Sequence, residues 1–181
     1  MRTGTRSAYA GALALFVLIV SVLCGACGSG DGAPATWDIG PFKQHFAEYA
    51  ALADAPKAAT EASSFSGKVI FFDPDEKWIA YTYIEPLIKS KSALLAYTPE
   101  EVGAVVLVRY KHKQVGHYGG GGKAYTTRAT MTVVDPARKE VVATKSWNSG
   151  APPMTVELGW DGFGPLPTEK MLQWVEGLAR Q

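Results

Sequence analysis

Residues 125–134 read YTTRATMTVV, in which large apolar side chains alternate with polar ones. Successive side chains of a β-strand point to opposite faces of the sheet, so this period predicts a strand with one face on a core and one on water. The predicted core face carries Tyr125, Ala129, Met131 and Val133. The predicted water face carries Thr126, Arg128, Thr130 and Thr132.

Strong turn signals punctuate the chain around this strand. Asp135-Pro136-Ala137-Arg138-Lys139 follows it and predicts a turn into a further strand at 141–147. The same Asp-Pro-x-x-Lys pattern at 73–77 joins a buried strand at 69–72 to a second strand, which we predict at 78–84 because it is aromatic and β-branched. Turn chemistry alone explains the repeated pattern, and no duplicated unit is required.

The remaining periodic segments predict helices at both ends of the domain. Residues 41–55 show helical spacing after Pro41, which suits a first helical position. Thr168 can cap a last helix with a buried stripe of Met171, Trp174, Val175 and Leu178. Thr98-Pro99-Glu100-Glu101 predicts a short helix start before a strand at 104–110. We therefore expect an α+β fold, an antiparallel sheet of about five strands packed by an N-terminal and a C-terminal helix, in one domain at 36–181.

The first 26 residues have the layout of a secretory signal. Arg2 and Arg6 precede an apolar run, ALALFVLIVSVL at 12–23, and the small residues Gly25 and Ala26 follow it. The run has twelve residues, whereas crossing a bilayer core takes roughly 20. Export therefore explains the segment better than a permanent spanning helix does.

The sequence Cys24-Gly25-Ala26-Cys27 resembles the lipobox of bacterial lipoproteins, with Cys24 where leucine is usual. The resemblance implies cleavage after residue 26, a lipid on Cys27, a flexible spacer at 27–35, and a domain held outside the cytoplasm on the cell membrane or outer membrane. The alternative is an ordinary signal peptide that releases a soluble product. In either case both cysteines lie at the processing boundary, so the domain contains no disulfide.

Charge is nearly balanced in the exported part. Without Arg2 and Arg6, sixteen of the eighteen basic side chains remain against seventeen acidic ones, a net charge of −1. This balance argues against nucleic-acid binding. Residues 109–145 hold eight basic residues and only two acidic ones, however. We predict a site for an anionic envelope partner at Arg109, Lys111, Lys113 and Lys123; the alternative is that these residues belong to solvated strand faces and turns.

The glycines at 119–122 invite comparison with a phosphate-binding loop, but the comparison fails. His117 stands where that motif needs its first glycine, and Ala124 stands where it needs Ser or Thr. A hairpin end explains the glycines better. His112 and His117 could begin a metal site, yet no cysteine or carboxylate lies between Glu101 and Asp135. We predict no metal and no cofactor.

We expect a non-catalytic binding or structural function, with no catalytic residue and with the protein partner unknown. The alternative is an exported hydrolase whose site involves His112 and His117. That site would require both histidines to converge with a carboxylate such as Asp73, Glu85 or Asp161.

An aromatic loop, WDGFGPLP at 160–167, precedes the last helix. Aromatic side chains on loops can stack on sugars or peptides. We favour the alternative that Trp160 and Phe163 pack beneath the last helix and close the core. The segment from Thr98 to Leu107, with the later glycine turn and Asp-Pro hairpin, also resembles a family of uncharacterised bacterial exported domains over residues 67–181. That resemblance implies the fold and carries no activity.

Overall fold

The computed structural model describes residues 36–54, 57–58 and 64–179. The predicted signal at 1–26, the lipid site Cys27 and the spacer at 27–35 lie outside the described residues. Within the part of the chain that is described, no helix combines the length and hydrophobicity needed to cross a bilayer.

The domain is built on one sheet with helices on both faces. Its strands are β1 (Lys57–Ala58), β2 (Lys68–Asp73), β3 (Trp78–Ile79), β4 (Val102–His117), β5 (Lys123–Asp135), β6 (Glu140–Asn148) and β7 (Gly162–Phe163). Its α-helices are α1 (Phe46–Ala51), α2 (Tyr81–Lys89) and α3 (Thr168–Ala179), and 3-10 helices cover Gly40–His45 and Pro99–Glu101. The predicted α+β class is confirmed.

The sheet is mixed, and the prediction of a purely antiparallel sheet was wrong. The strand order is β1-β6-β5-β4-β2-β3, with β7 paired to β5 beyond this path. β2 runs parallel to β4, β1 to β6 and β7 to β5. For β2 and β4 the cause is the long connection at 74–101, which contains β3 and α2 and returns the chain to the end of the sheet at which β2 begins. A connection of this length is the kind that parallel pairing requires.

The strand predicted at 78–84 ends at Ile79, and the chain enters α2 at Tyr81. Tyr83 is fully buried, stacks on Phe71 with ring centroids 5.5 Å apart, and donates a hydrogen bond to the sulfur of Met171. Packing of this helical face against β2 and α3 overrides the strand preference of the aromatic and β-branched residues. The predicted helix at 41–55 is likewise divided into a 3-10 segment and the shorter α1, which ends at Ala51.

β2 is buried on both faces. Phe71 faces α2, whereas Phe72 contacts Phe46 and Tyr49 of the α1 side at centroid distances of 5.5 and 5.8 Å. Adjacent residues of a strand point to opposite faces, so this pair of phenylalanines joins the two helical layers to the sheet. On the α3 side, Trp147 and Trp174 pack edge to face at 5.2 Å.

An ion pair lies at the N-terminal end of the parallel β2–β4 pair. The carboxylate of Glu101 accepts one hydrogen bond from Lys68 Nζ and another from the backbone N–H of Tyr97, each at 2.8 Å. Both bonds lower the pKa of Glu101, and the bond from Lys68 has the larger effect. The predicted helix start at Thr98-Pro99-Glu100-Glu101 is present as the 3-10 turn that carries this carboxylate.

Both Asp-Pro turns have the same geometry. In the first turn, Asp73 Oδ1 accepts hydrogen bonds from the backbone N–H groups of residues 75 and 76. In the second turn, Asp135 Oδ1 accepts hydrogen bonds from those of residues 137 and 138. The distances are 2.9 and 3.1 Å in each turn. Each turn ends in a lysine with positive φ, Lys77 at 53° and Lys139 at 55°. Shared local chemistry accounts for the repeated sequence.

The aromatic loop does not close the core, and that expectation was wrong. Trp160 is 65% exposed and Phe163 is 49% exposed. The loop instead packs its backbone on the glycine hairpin end, where a Cβ on Gly122 would collide with the carbonyl of Trp160. Close backbone approach, rather than burial of the aromatic rings, fixes this segment.

The two faces of β5 give a direct test of the register. Met131 is fully buried, whereas Thr130 is half-buried and shares a 2.8 Å hydrogen bond with Ser146. Met131→Ala should lower the free energy of unfolding by roughly 2 to 5 kcal/mol because it leaves a cavity. Thr130→Ala should cost about 1 kcal/mol or less. Urea unfolding of both variants checks this, and the reverse order of costs would show that the register is shifted by one residue.

Candidate functional site

The distal half of β4 leaves the helical layers and exposes a cationic face. Val105, Val106 and Val108 are fully buried, but the strand is largely solvent-exposed from Arg109 onward. Arg109, Lys111 and Lys113 alternate onto the face that continues from Leu107, as predicted from their spacing.

The register adds a fourth cation that the site prediction did not include. Lys111 lies directly opposite Arg128 of β5, while Arg109 lies opposite Thr130 and Lys113 opposite Thr126. Cross-strand partners share a face, so Arg128 belongs to the cationic face. β6 continues the face with polar groups, since Asn148 lies opposite Arg128 and Ser146 opposite Thr130.

Only part of this charge is compensated. Arg109 Nε lies 3.5 Å from Asp75 Oδ1, in the turn after β2. Lys111, Lys113 and Arg128 form no salt bridge with any carboxylate in the described ranges. Like charges directly opposite each other on a sheet are destabilising. We call Lys111, Lys113 and Arg128, with Thr126 and Asn148, the basic face.

A cavity of about 410 Å³ lies at the basic face. It is lined by all three cations, by the hydroxyl-bearing Thr126 and by the amide-bearing Asn148, together with His112, Thr127 and Ser149. Three cations and neutral donors around one concave surface can bind phosphate or carboxylate groups of a ligand.

Lys123 does not join the other predicted cations on this face. It lies opposite His117 at the last pair of the β4–β5 ladder, with the strand parity of Tyr125 on the opposite face. Its backbone N–H donates a 2.7 Å hydrogen bond to Asp161 Oδ1 and so ties the hairpin end to the aromatic loop.

A bulge explains why Arg128 was missed. Counting outward from the pair His117–Lys123 in strict register would place Lys111 opposite Ala129. The ladder instead shifts by one residue between Gln114 and Gly116. A bulge exchanges the faces of everything beyond it. In the sequence, Gly116 within a strand pattern is a weak signal of a bulge.

The two histidines of the hydrolase alternative occupy separate places. His112 Nδ1 lies 2.9 Å from Thr127 Oγ1. Gln114 Nε2 donates to His117 Nε2 at 2.7 Å. The two residues are separated by the bulge, and their ring nitrogens have different partners.

The carboxylates of that alternative are engaged elsewhere. Asp73 accepts two amides of its own turn, Glu85 forms a 2.7 Å ion pair with Lys89, and Asp161 accepts the N–H of Lys123. None of the three forms a hydrogen bond or an ion pair with His112 or His117. Among the described residues, no group of three or more His, Cys, Asp or Glu side chains is placed to hold a metal ion.

Comparison of the chain with protein-family models, with curated proteins and with solved structures gave no match.

The Lys111–Arg128 pair predicts a stability gain on neutralisation. Arg128→Thr removes one of two like charges that face each other and introduces a residue suited to strands. The free energy of unfolding should rise by roughly 0.2 to 1 kcal/mol in 20 mM salt. The gain should shrink in 1 M salt, where the Debye length falls to about 3 Å. Urea unfolding at both salt concentrations measures it; an equal gain at both would assign the effect to strand propensity and not to charge.

Proposed function

We propose that this protein is a lipid-anchored domain of the bacterial cell envelope, attached through Cys27, whose basic face binds anionic groups of an envelope partner without catalysis. The observation that carries the binding function is the Lys111–Arg128 pair, with Lys113 beside it and without a carboxylate of the described residues paired to them. A bound phosphate or carboxylate relieves the repulsion that this arrangement creates.

The anchor part of the proposal rests on the sequence. The positive start, the short apolar run and the small residues before Cys27 support processing at that position. A tether keeps the domain close to the membrane, where anionic headgroups and acidic polymers are concentrated. Each Lys or Arg near such a surface contributes about 1 kcal/mol, so three cations on one face support weak binding that the tether makes effective.

The shape of the site favours charged groups at the surface of a larger partner. The cavity of about 410 Å³ opens on an exposed strand face, so a headgroup or polymer side group can enter without threading. Lysine ammonium groups act as mobile point charges, while the guanidinium of Arg128 can hold two oxygens of one phosphate or carboxylate. Asn148 and Thr126 supply neutral hydrogen bonds beside them.

Lipidation is tested by one pair of variants in the full chain. Cys27→Ser should abolish incorporation of labelled palmitate, because only Cys27 remains as an acceptor after cleavage. Cys24→Ser is the matched control and should still be labelled, since that residue leaves with the signal. Labelling that persists in Cys27→Ser, or that is lost equally in both variants, would contradict an anchor at Cys27.

Anion binding is tested with the unlipidated chain from residue 28 onward. It should sediment with phosphatidylglycerol vesicles and not with phosphatidylcholine vesicles, and binding should decrease steeply between 0.1 and 1 M salt. Competition by polyglutamate would favour an acidic polymer, and its failure would favour the lipid surface.

The control for this experiment matches the change in net charge. Lys111→Glu/Lys113→Glu should lower the affinity for anionic vesicles at least tenfold. Lys89→Glu/Lys170→Glu should retain most of that affinity. Equal losses would assign binding to net charge and not to the basic face. Equal binding to both vesicle types would contradict the function.

A further inference from the structure

A second cavity adjoins the first on the same two-stranded ribbon, and His112 and Thr127 line both. Its volume is about 390 Å³, at the lower end of the roughly 300–1,000 Å³ typical of small-molecule sites. It lies between β4, β5 and the loop that leads into α3. Its lining includes Phe163, His112, Tyr110, Thr127, Thr82 and Thr168.

Phe163 forms a fixed apolar wall of this cavity. Its ring stacks on Tyr125 with centroids 5.1 Å apart and an interplanar angle of 11°, yet 49% of the residue is exposed. The glycines on either side hold it there. A Cβ on Gly162 would collide with the hydroxyl of Tyr118, and a Cβ on Gly164 would collide with the carbonyl of Gly150. A half-exposed aromatic ring fixed by its backbone is a platform for a ligand rather than part of the core.

His112 provides a fixed polar edge next to that wall. Its ring meets Phe163 edge to face at 5.0 Å, and its Nδ1 lies 2.9 Å from the hydroxyl oxygen of Thr127. Thr127 is itself 4% exposed, and its N–H donates to Ser149 Oγ at 2.9 Å. The imidazole is therefore held in one orientation. Its Nε2 has no hydrogen-bond partner in the described part of the chain.

The other polar groups of the cavity are neutral hydroxyls. Tyr110 donates to the hydroxyl of Tyr83 at 3.4 Å and can still accept a hydrogen bond. Burial raises the pKa of Tyr110, so its phenol stays protonated at neutral pH. Thr82 and Thr168 add hydroxyls that can donate or accept as a ligand requires. The lining contains no Asp, Glu, Lys or Arg among the described residues.

This combination restricts the chemical class of the ligand. A flat apolar wall requires a ring with an apolar face, and a rim of hydroxyls and one imidazole requires several neutral donors and acceptors at the edge of that ring. A charged ligand would find no compensating charge here. We propose that the cavity binds a neutral sugar ring, with one C–H face against Phe163 and its hydroxyl groups hydrogen-bonded to His112 Nε2 and the two threonines.

The sugar site and the basic-face cavity share His112 and Thr127 but differ in their other lining residues. Phe163, Thr82 and Thr168 line only the sugar site, whereas Lys111, Lys113 and Arg128 line only the basic-face cavity. Variants at Phe163 or Thr82 should therefore affect the sugar site alone, and variants at Lys111 and Lys113 the basic face alone.

Saturation-transfer NMR on the full chain tests the proposal, in a zwitterionic detergent that carries no sugar. The probes are the methyl glycosides of glucose, galactose and N-acetylglucosamine, with adenosine as a flat aromatic comparison. At least one glycoside should receive saturation at its ring protons. Phe163→Ala should reduce that signal at least fivefold, and Thr82→Val should reduce it without disturbing the aromatic stack.

The controls use residues outside the cavity. Trp160→Ala removes an exposed aromatic from the same loop, and Lys111→Glu/Lys113→Glu alters the opposite face; both should keep the signal. No saturation of any glycoside, saturation of adenosine alone, or an undiminished signal in both Phe163→Ala and Thr82→Val would overturn the proposal. Thermal unfolding identifies a variant that fails to fold, and Thr82→Val then decides.

Discussion

Strand β4 is sixteen residues long, while the helices cover only its first half. At that end β2 and β4 are buried between α1 on one face and α2 and α3 on the other. At the other end β4 is held by its pairing with β5, which continues to the pair His117–Lys123. Backbone pairing thus extends a two-faced ribbon beyond the core. Both candidate sites lie on that ribbon.

The core around the first half of β4 stabilises the fold enough to offset the stability lost in its exposed second half. Like charges opposite each other at Lys111 and Arg128 reduce stability, and the half-exposed Phe163 gives up part of its hydrophobic stabilisation. Features that reduce stability without a structural benefit are typical of binding sites. Large side chains that are fully buried around β2 supply the compensating free energy, and none of them lines either cavity: Phe42, Phe71, Phe72, Tyr83 and Met171.

Features that depend on neighbouring residues were predictable from the sequence, whereas features that depend on packing between distant segments were not. The alternation in 125–134 predicted the buried Ala129, Met131 and Val133, but Tyr125, predicted with them, is only half-buried and lies outside the core. The Asp-Pro patterns predicted both turns, because each turn depends on a few neighbouring residues. The change from strand to helix after Ile79 depends on packing against β2 and α3, which are distant in sequence. The parallel pairing of β2 with β4 follows from that helix, since the crossover is what makes it possible.

In the candidate site, too, the arrangement within one strand was predictable, and the pairing between two strands was not. The spacing of Arg109, Lys111 and Lys113 fixed their common face without knowledge of the fold. Whether Lys123 and Arg128 belong with them depended on one extra residue near Val115, since a bulge there exchanges faces. Because of this extra residue, Arg128 lies on the same face as Lys111 and Lys113, and Lys123 lies on the face of Tyr125 and Phe163. It also explains why a neutral aromatic cavity can adjoin a basic one on the same two strands, with His112 and Thr127 common to both. Alternation places the cations and the aromatic rings on opposite faces, and the bulge keeps the last cation of the hairpin off the basic face.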